Sequence, residues 1–95
     1  MAKHIYYVVL QWENYPYDGE GIKGESEADG PYYNRKEAIS EMKELLKNYS
    51  DGDKKHTYHG LLMIGDVDDE YTDVYDYDSE DVGISARNGK IFRNE

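Results

Sequence analysis

Residues 34–49 read Asn-Arg-Lys-Glu-Ala-Ile-Ser-Glu-Met-Lys-Glu-Leu-Leu-Lys-Asn-Tyr. Asn34 is a good N-cap, and Glu37 three positions on completes a capping-box-like pair. Ala38, Ile39, Met42, Leu45, Leu46 and Tyr49 recur at helical spacing and make one apolar stripe. Arg35, Lys36, Glu41, Lys43, Glu44 and Lys47 line the outside. Lys43 and Lys47 in the last turns suit the helix dipole, and Ser50-Asp51-Gly52-Asp53 ends the helix. A single striped helix needs a second layer, and the flanking segments read as strands.

Upstream, Ile5–Trp12 is a near-continuous run of β-formers. Its apolar residues on both faces predict a central strand, covered on each side or covered on one and lined by Tyr on the other. Between that strand and the helix, Glu13–Pro31 changes character. It holds Gly19, Gly21, Gly24 and Gly30, both prolines, and six acids against Lys23 alone. A long loop or irregular hairpin is expected there. The Gly-x-Gly-x-x-Gly spacing of Gly19, Gly21 and Gly24 is not a phosphate cradle. No helix follows it directly, and Glu20, Glu25 and Glu27 repel phosphate.

Downstream, Thr57–Val67 predicts a second strand around Leu61, Leu62, Met63 and Ile64, because Gly60 and Gly65 disfavour a helix. Tyr71–Tyr77 is a third candidate strand. Val82–Arg87 and Lys90–Arg93 flank Asn88-Gly89, a strong hairpin signal that sets Ala86 opposite Ile91 and Ser85 opposite Phe92. The expectation for residues 1–95 is one small acidic α+β domain: a single helix packed on a four- to five-stranded, mainly antiparallel sheet.

Asp66–Asp81 carries the chemistry. Nine of its sixteen residues are carboxylates, none is Lys or Arg, and Tyr71, Tyr75 and Tyr77 stand among them. The chain's net charge is −10, and it is unevenly placed: −9 in Asp66–Asp81, −5 in Glu13–Asp29 and +4 in the remainder. Such a chain is not expected to bind nucleic acid or anionic lipid directly, since phosphate contacts need Lys and Arg. It attracts basic partners instead. The plain alternative is a solvated face that keeps the protein soluble and blocks edge pairing.

Other chemistry has weaker support. With no cysteine, disulfides, thiolates and zinc–cysteine sites are excluded. Asp66-x-Asp68-x-Glu70 opens like a calcium loop, but Tyr71 and Tyr77 occupy the positions that need Gly and Glu. His56 and His59 point to opposite sides of a strand, and His4 completes no ligand set. No Gly-x-Ser-x-Gly elbow is present, and solvated carboxylates make poor acid–base pairs. No cofactor, metal or catalytic residue is therefore expected. No apolar run approaches the roughly 20 residues of a membrane span, and the start of the chain lacks a signal-peptide pattern. The expected setting is the cytoplasm, that of the host if the protein is phage-encoded.

A short, cysteine-free chain rich in Asp, Glu and Tyr resembles, in composition, small phage and mobile-element proteins that mimic DNA, anti-restriction and anti-CRISPR proteins among them. The resemblance implies a non-enzymatic inhibitor that blocks the basic groove of a host nuclease or defence complex. Asp66, Asp68, Asp69, Glu70, Asp73, Asp76, Asp78, Glu80 and Asp81 would supply the charge, with Tyr71, Tyr75 and Tyr77 as anchors. An immunity protein against a basic toxin nuclease shares that physics. A metal-stabilised structural module and a small hydrolase are different classes. The oligomeric state is left open.

Overall fold

A computed structural model describes residues 3–67 and 74–93, with side chains described for 3–67 and 77–93. The chain runs β1 (Lys3–Asn14), β2 (Ile22–Glu25), β3 (Asp29–Tyr32), α1 (Arg35–Ser50), β4 (His56–Val67), β5 (Val74–Arg87) and β6 (Lys90–Arg93). The described strands form one sheet in the order β2-β1-β4-β5-β6, with β3 also paired to β1. Every pairing is antiparallel. The protein is thus α+β, one helix on a six-stranded sheet.

The helix starts as its sequence dictates. Asn34 is extended, and its Oδ1 accepts from the Glu37 amide at 3.1 Å. Ala38, Met42 and Leu46 are fully buried against Val8, Leu10, Tyr58, Leu62, Ile84 and Ala86. Ile39 and Leu45 flank that core. The expected stripe fails at its last member: Tyr49 is exposed and Ser50 takes the buried position. One further residue turns the helix by about 100°, which brings Ser50 over the β5–β6 turn. There its hydroxyl accepts from the Gly89 amide at 3.0 Å.

Gly60 sets how closely α1 approaches. A Cβ at that position would lie 2.3 Å from Met42 Sδ and 3.3 Å from Leu46 Cδ1. On the same face, Val8 pairs with Leu62, Leu10 with Gly60, and Trp12 with Tyr58. The Asn88-Gly89 turn has φ of 51° and 79°, the doubly positive geometry that a two-residue hairpin requires. Its register sets Ser85 opposite Phe92 and Ala86 opposite Ile91, as the sequence predicts.

Of the two forms expected for residues 13–31, the irregular hairpin is the one that forms: β2 returns antiparallel along β1 with a shifted register, and β3 pairs with β1 as well. Trp12 lies directly over Gly24, where any Cβ would collide with the indole. The Ser26 hydroxyl also accepts from the Leu10 amide at 2.8 Å. In addition, the third and fourth expected strands are one continuous strand, β5. Between the pairs Leu61–Asp81 and His59–Ser85, three β5 residues oppose Gly60 alone. Gly83, with φ of 71°, sits in this bulge, and its amide donates to Asp81 Oδ1. The bulge lets β5 bend while staying in the sheet.

Candidate acidic binding surface

The helix covers only part of the sheet. Its first residue, Arg35, meets Glu80 through two hydrogen bonds of 3.0 and 3.1 Å, while its last, Ser50, meets the turn at Gly89. The ladder of β1, β4 and β5 continues beyond Glu80 to the pairs His4–Asp66 and Asp66–Asp76. β6 pairs only with Ile84–Arg87. Residues 74–81 of β5 are therefore an open sheet edge among the described residues.

Strand alternation divides the acids between the two faces of the sheet. Asp78 lies opposite Ile64 and Glu80 opposite Leu62, so both share the helix-side face. Two residues along a strand separate them by about 6.7 Å. Asp66 joins them from β4, and its Oδ1 meets His4 Nδ1 at 2.7 Å. Tyr77 and Asp81 are on the other face, opposite Gly65 and Leu61, and both are exposed. The backbones of Tyr75 and Asp76 lie in β5. Asp68, Asp69, Glu70, Tyr71 and Asp73 fall outside the described residues, as does most of the calcium-like spacing that begins at Asp66.

The second acidic segment, Glu13–Asp29, is not beside the first. β2 and β3 line the far edge of β1, so β1 and β4 separate them from β5. The two segments flank a common face rather than forming one continuous strip. Glu25 pairs with Gln11 on β1, on the face that also carries Val9, Leu61 and Asp81.

Three further polar groupings lie outside the sequence expectations, two of them long-range and one local. At the outer end of the open face, His59 bridges Glu13 and Ser85, with Nε2 2.9 Å from Glu13 Oε1 and Nδ1 2.7 Å from Ser85 Oγ. Carboxylate, imidazole and hydroxyl stand in the order of a proton relay, but Ser85 is fully buried, so its oxygen offers no nucleophile to a substrate. Antiparallel registers create the row: His59 lies directly opposite Ser85 and diagonally across from Glu13. Next to it, Arg87 stacks 3.8 Å from the Tyr15 ring centre and 4.9 Å from that of Phe92. Its Nε donates to Thr57 Oγ1 at 3.1 Å. This end of the sheet is fixed by polar contacts rather than by a second helix.

The third grouping is at the end of α1. Asp53 Oδ2 accepts from the Tyr58 hydroxyl at 2.7 Å and meets His56 Nδ1 at 2.9 Å, and Oδ1 accepts from the Lys55 amide. Burial opposes the charge on Asp53, yet the bonds from Tyr58, Lys55 and His56 prevail and hold its carboxyl at about 2. Burial, with the same carboxylate beside it, pushes the Tyr58 hydroxyl up to about 12. Among the described residues, no three His, Asp or Glu side chains group as metal ligands. No helix there is long and apolar enough to cross a membrane.

No family model, curated protein or solved structure matches this chain.

Proposed function

We propose that the protein is a non-enzymatic inhibitor that occupies the nucleic-acid groove of a basic protein, of the nuclease or defence-complex kind. The observation that carries this reading is the position of β5. Its acidic half is an open edge that runs on past Glu80, which Arg35 of the helix already holds, with Asp78 at strand spacing from it and Asp66 alongside. Carboxylates held about 6.7 Å apart on a strand are near the spacing of successive phosphates, and they can take the Arg and Lys sites that phosphates would fill. The bases lie mostly elsewhere: Lys36, Lys43 and Lys47 on the helix, and Arg87, Lys90 and Arg93 around the β5–β6 turn. That asymmetry would orient the molecule as it approaches a basic groove.

The same acids keep an open edge from pairing with another strand, so the test has to separate binding from edge protection. The immobilised protein is exposed to bacterial lysate at low salt and then washed with a single-stranded oligonucleotide. The expected result is release of a nucleic-acid-binding protein by the oligonucleotide, and no capture by an Asp78→Lys/Asp81→Lys variant that remains folded and monomeric. Capture unaffected by the charge reversal, or by the oligonucleotide, would refute the proposal.

A further inference from the structure

The sheet has one helix and two faces. On the face away from α1, β1 contributes Ile5, Tyr7 and Val9, β4 contributes Leu61 and Met63, and β5 contributes Tyr77. A groove of about 500 Å³ opens here, lined by Tyr7, Val9, Glu25, Ala28, Met63 and Tyr77. Tyr77 is 51% exposed. Ile5 and Val9 at the floor of this face are buried, and Tyr77 stands exposed at the rim of the groove. Among the described residues the one helix lies on the other face, so the groove is open to a partner.

The charge around the groove indicates what covers it. Glu25 on β2 bounds it on one side and Asp81 on β5 on the other, both exposed and both on this face. Three strand spacings separate them, about 14 Å. A second copy stacked face to face would bring like-charged rims together on chains of net charge −10. A partner presenting one apolar ring between cations would instead match groove and rim together.

We infer that this groove receives an aromatic side chain flanked by Arg or Lys on the surface of a basic partner. The inference rests on the reading of the protein as an occupant of nucleic-acid grooves, and it narrows that reading. Surfaces that bind single strands combine a basic track with exposed aromatic rings on which bases stack. Tyr7, Met63 and Tyr77 would meet such a ring where a base otherwise would, and Glu25 and Asp81 would meet the flanking cations. The partner class is thus a single-strand-binding surface rather than one that only tracks a duplex backbone.

Two synthetic ten-residue peptides test this, each with four arginines around one central position, phenylalanine in one and serine in the other. Binding is followed by NMR at low salt. The phenylalanine peptide is expected to bind about tenfold more tightly and to shift the Met63 methyl and Tyr77 ring signals. That preference should vanish in Met63→Gln and Tyr77→Ser, each checked for fold by circular dichroism, while affinity for the serine peptide stays unchanged. Equal binding of both peptides would overturn the groove and leave the acidic-surface reading standing. Binding of neither would overturn both. Sedimentation showing a dimer that Met63→Gln dissociates would also overturn the inference, since the face would then be filled by a second copy.

Discussion

Gly60→Ala is the sharpest test of how the helix sits on the sheet. The added methyl would lie 2.3 Å from Met42 Sδ, 2.8 Å from Met42 Cγ and 3.3 Å from Leu46 Cδ1. Met42 and Leu46 are fully buried, so the sulfur has no solvent to swing into and the helix must lift or Met42 must leave its rotamer. Overpacking of this kind costs about 1–3 kcal/mol. Removing a glycine from the unfolded chain returns about 0.4–1 kcal/mol. The net expectation is a loss of about 1–2 kcal/mol, or about 5–15 °C in Tm for a domain of this size. Urea denaturation with Trp12 fluorescence measures it. Met42→Ala alone should cost about 2–5 kcal/mol. In the double variant the new methyl fills part of the vacated space, so the combined loss should fall short of the sum by about 1 kcal/mol or more. A Gly60→Ala protein as stable as the parent, or strict additivity in the double variant, would refute the close approach.

Two further outcomes concern the groups that fasten the end of the helix. Asp53, with its carboxyl depressed to about 2, contributes stability that is present above the unfolded carboxylate range near 4. That contribution is lost as pH falls through about 2. Asp53→Asn should therefore cost about 1–2 kcal/mol at pH 7, after allowance for partial solvent screening. The gap from the parent should close towards pH 2, as read from urea midpoints across the range. Ser50→Ala leaves the Gly89 amide without its 3.0 Å acceptor and should cost about 1–2 kcal/mol, with faster hydrogen exchange at Gly89.

The helix and the terminal hairpin were legible because their signals are local. Asn34, Glu37 and the spacing of Ala38, Met42 and Leu46 decide the first, and Asn88-Gly89 decides the second. Within residues 13–31 an irregular hairpin was legible from the Gly and Pro content, but not which residues form its strands. β2 and β3 are four-residue edge strands held by backbone pairing to β1, and their polar, glycine-containing sequences show no alternation. The β5 region of the sequence holds two β-forming runs, Tyr71–Tyr77 and Val82–Arg87, with no β-former in Asp78-Ser79-Glu80-Asp81 between them. On an open edge, solvated side chains cost the strand nothing, and Gly83 provides the bend without ending it. The Glu13–His59–Ser85 row joins residues 46 and 26 positions apart. Only strand registers reveal it, because residues in different strands have no fixed relative facing until the pairing is known. For the acidic surface, the sequence located the charge. It could not show that the strand runs on to Asp81, nor which face the helix takes. Both are needed to place Asp78 and Glu80 on the helix side and Tyr77 and Asp81 on the other.

In the proposed function the acidic edge of β5 takes the place of a nucleic-acid backbone. Its most direct test is competition for one captured nucleic-acid-binding partner between this protein and a single-stranded oligonucleotide, at fixed salt. Mutually exclusive binding is expected: the apparent Kd of the protein rises in proportion to oligonucleotide concentration, and Asp78→Lys/Asp81→Lys no longer competes. A ternary complex of partner, oligonucleotide and protein, or undiminished competition by the reversed variant, would contradict it.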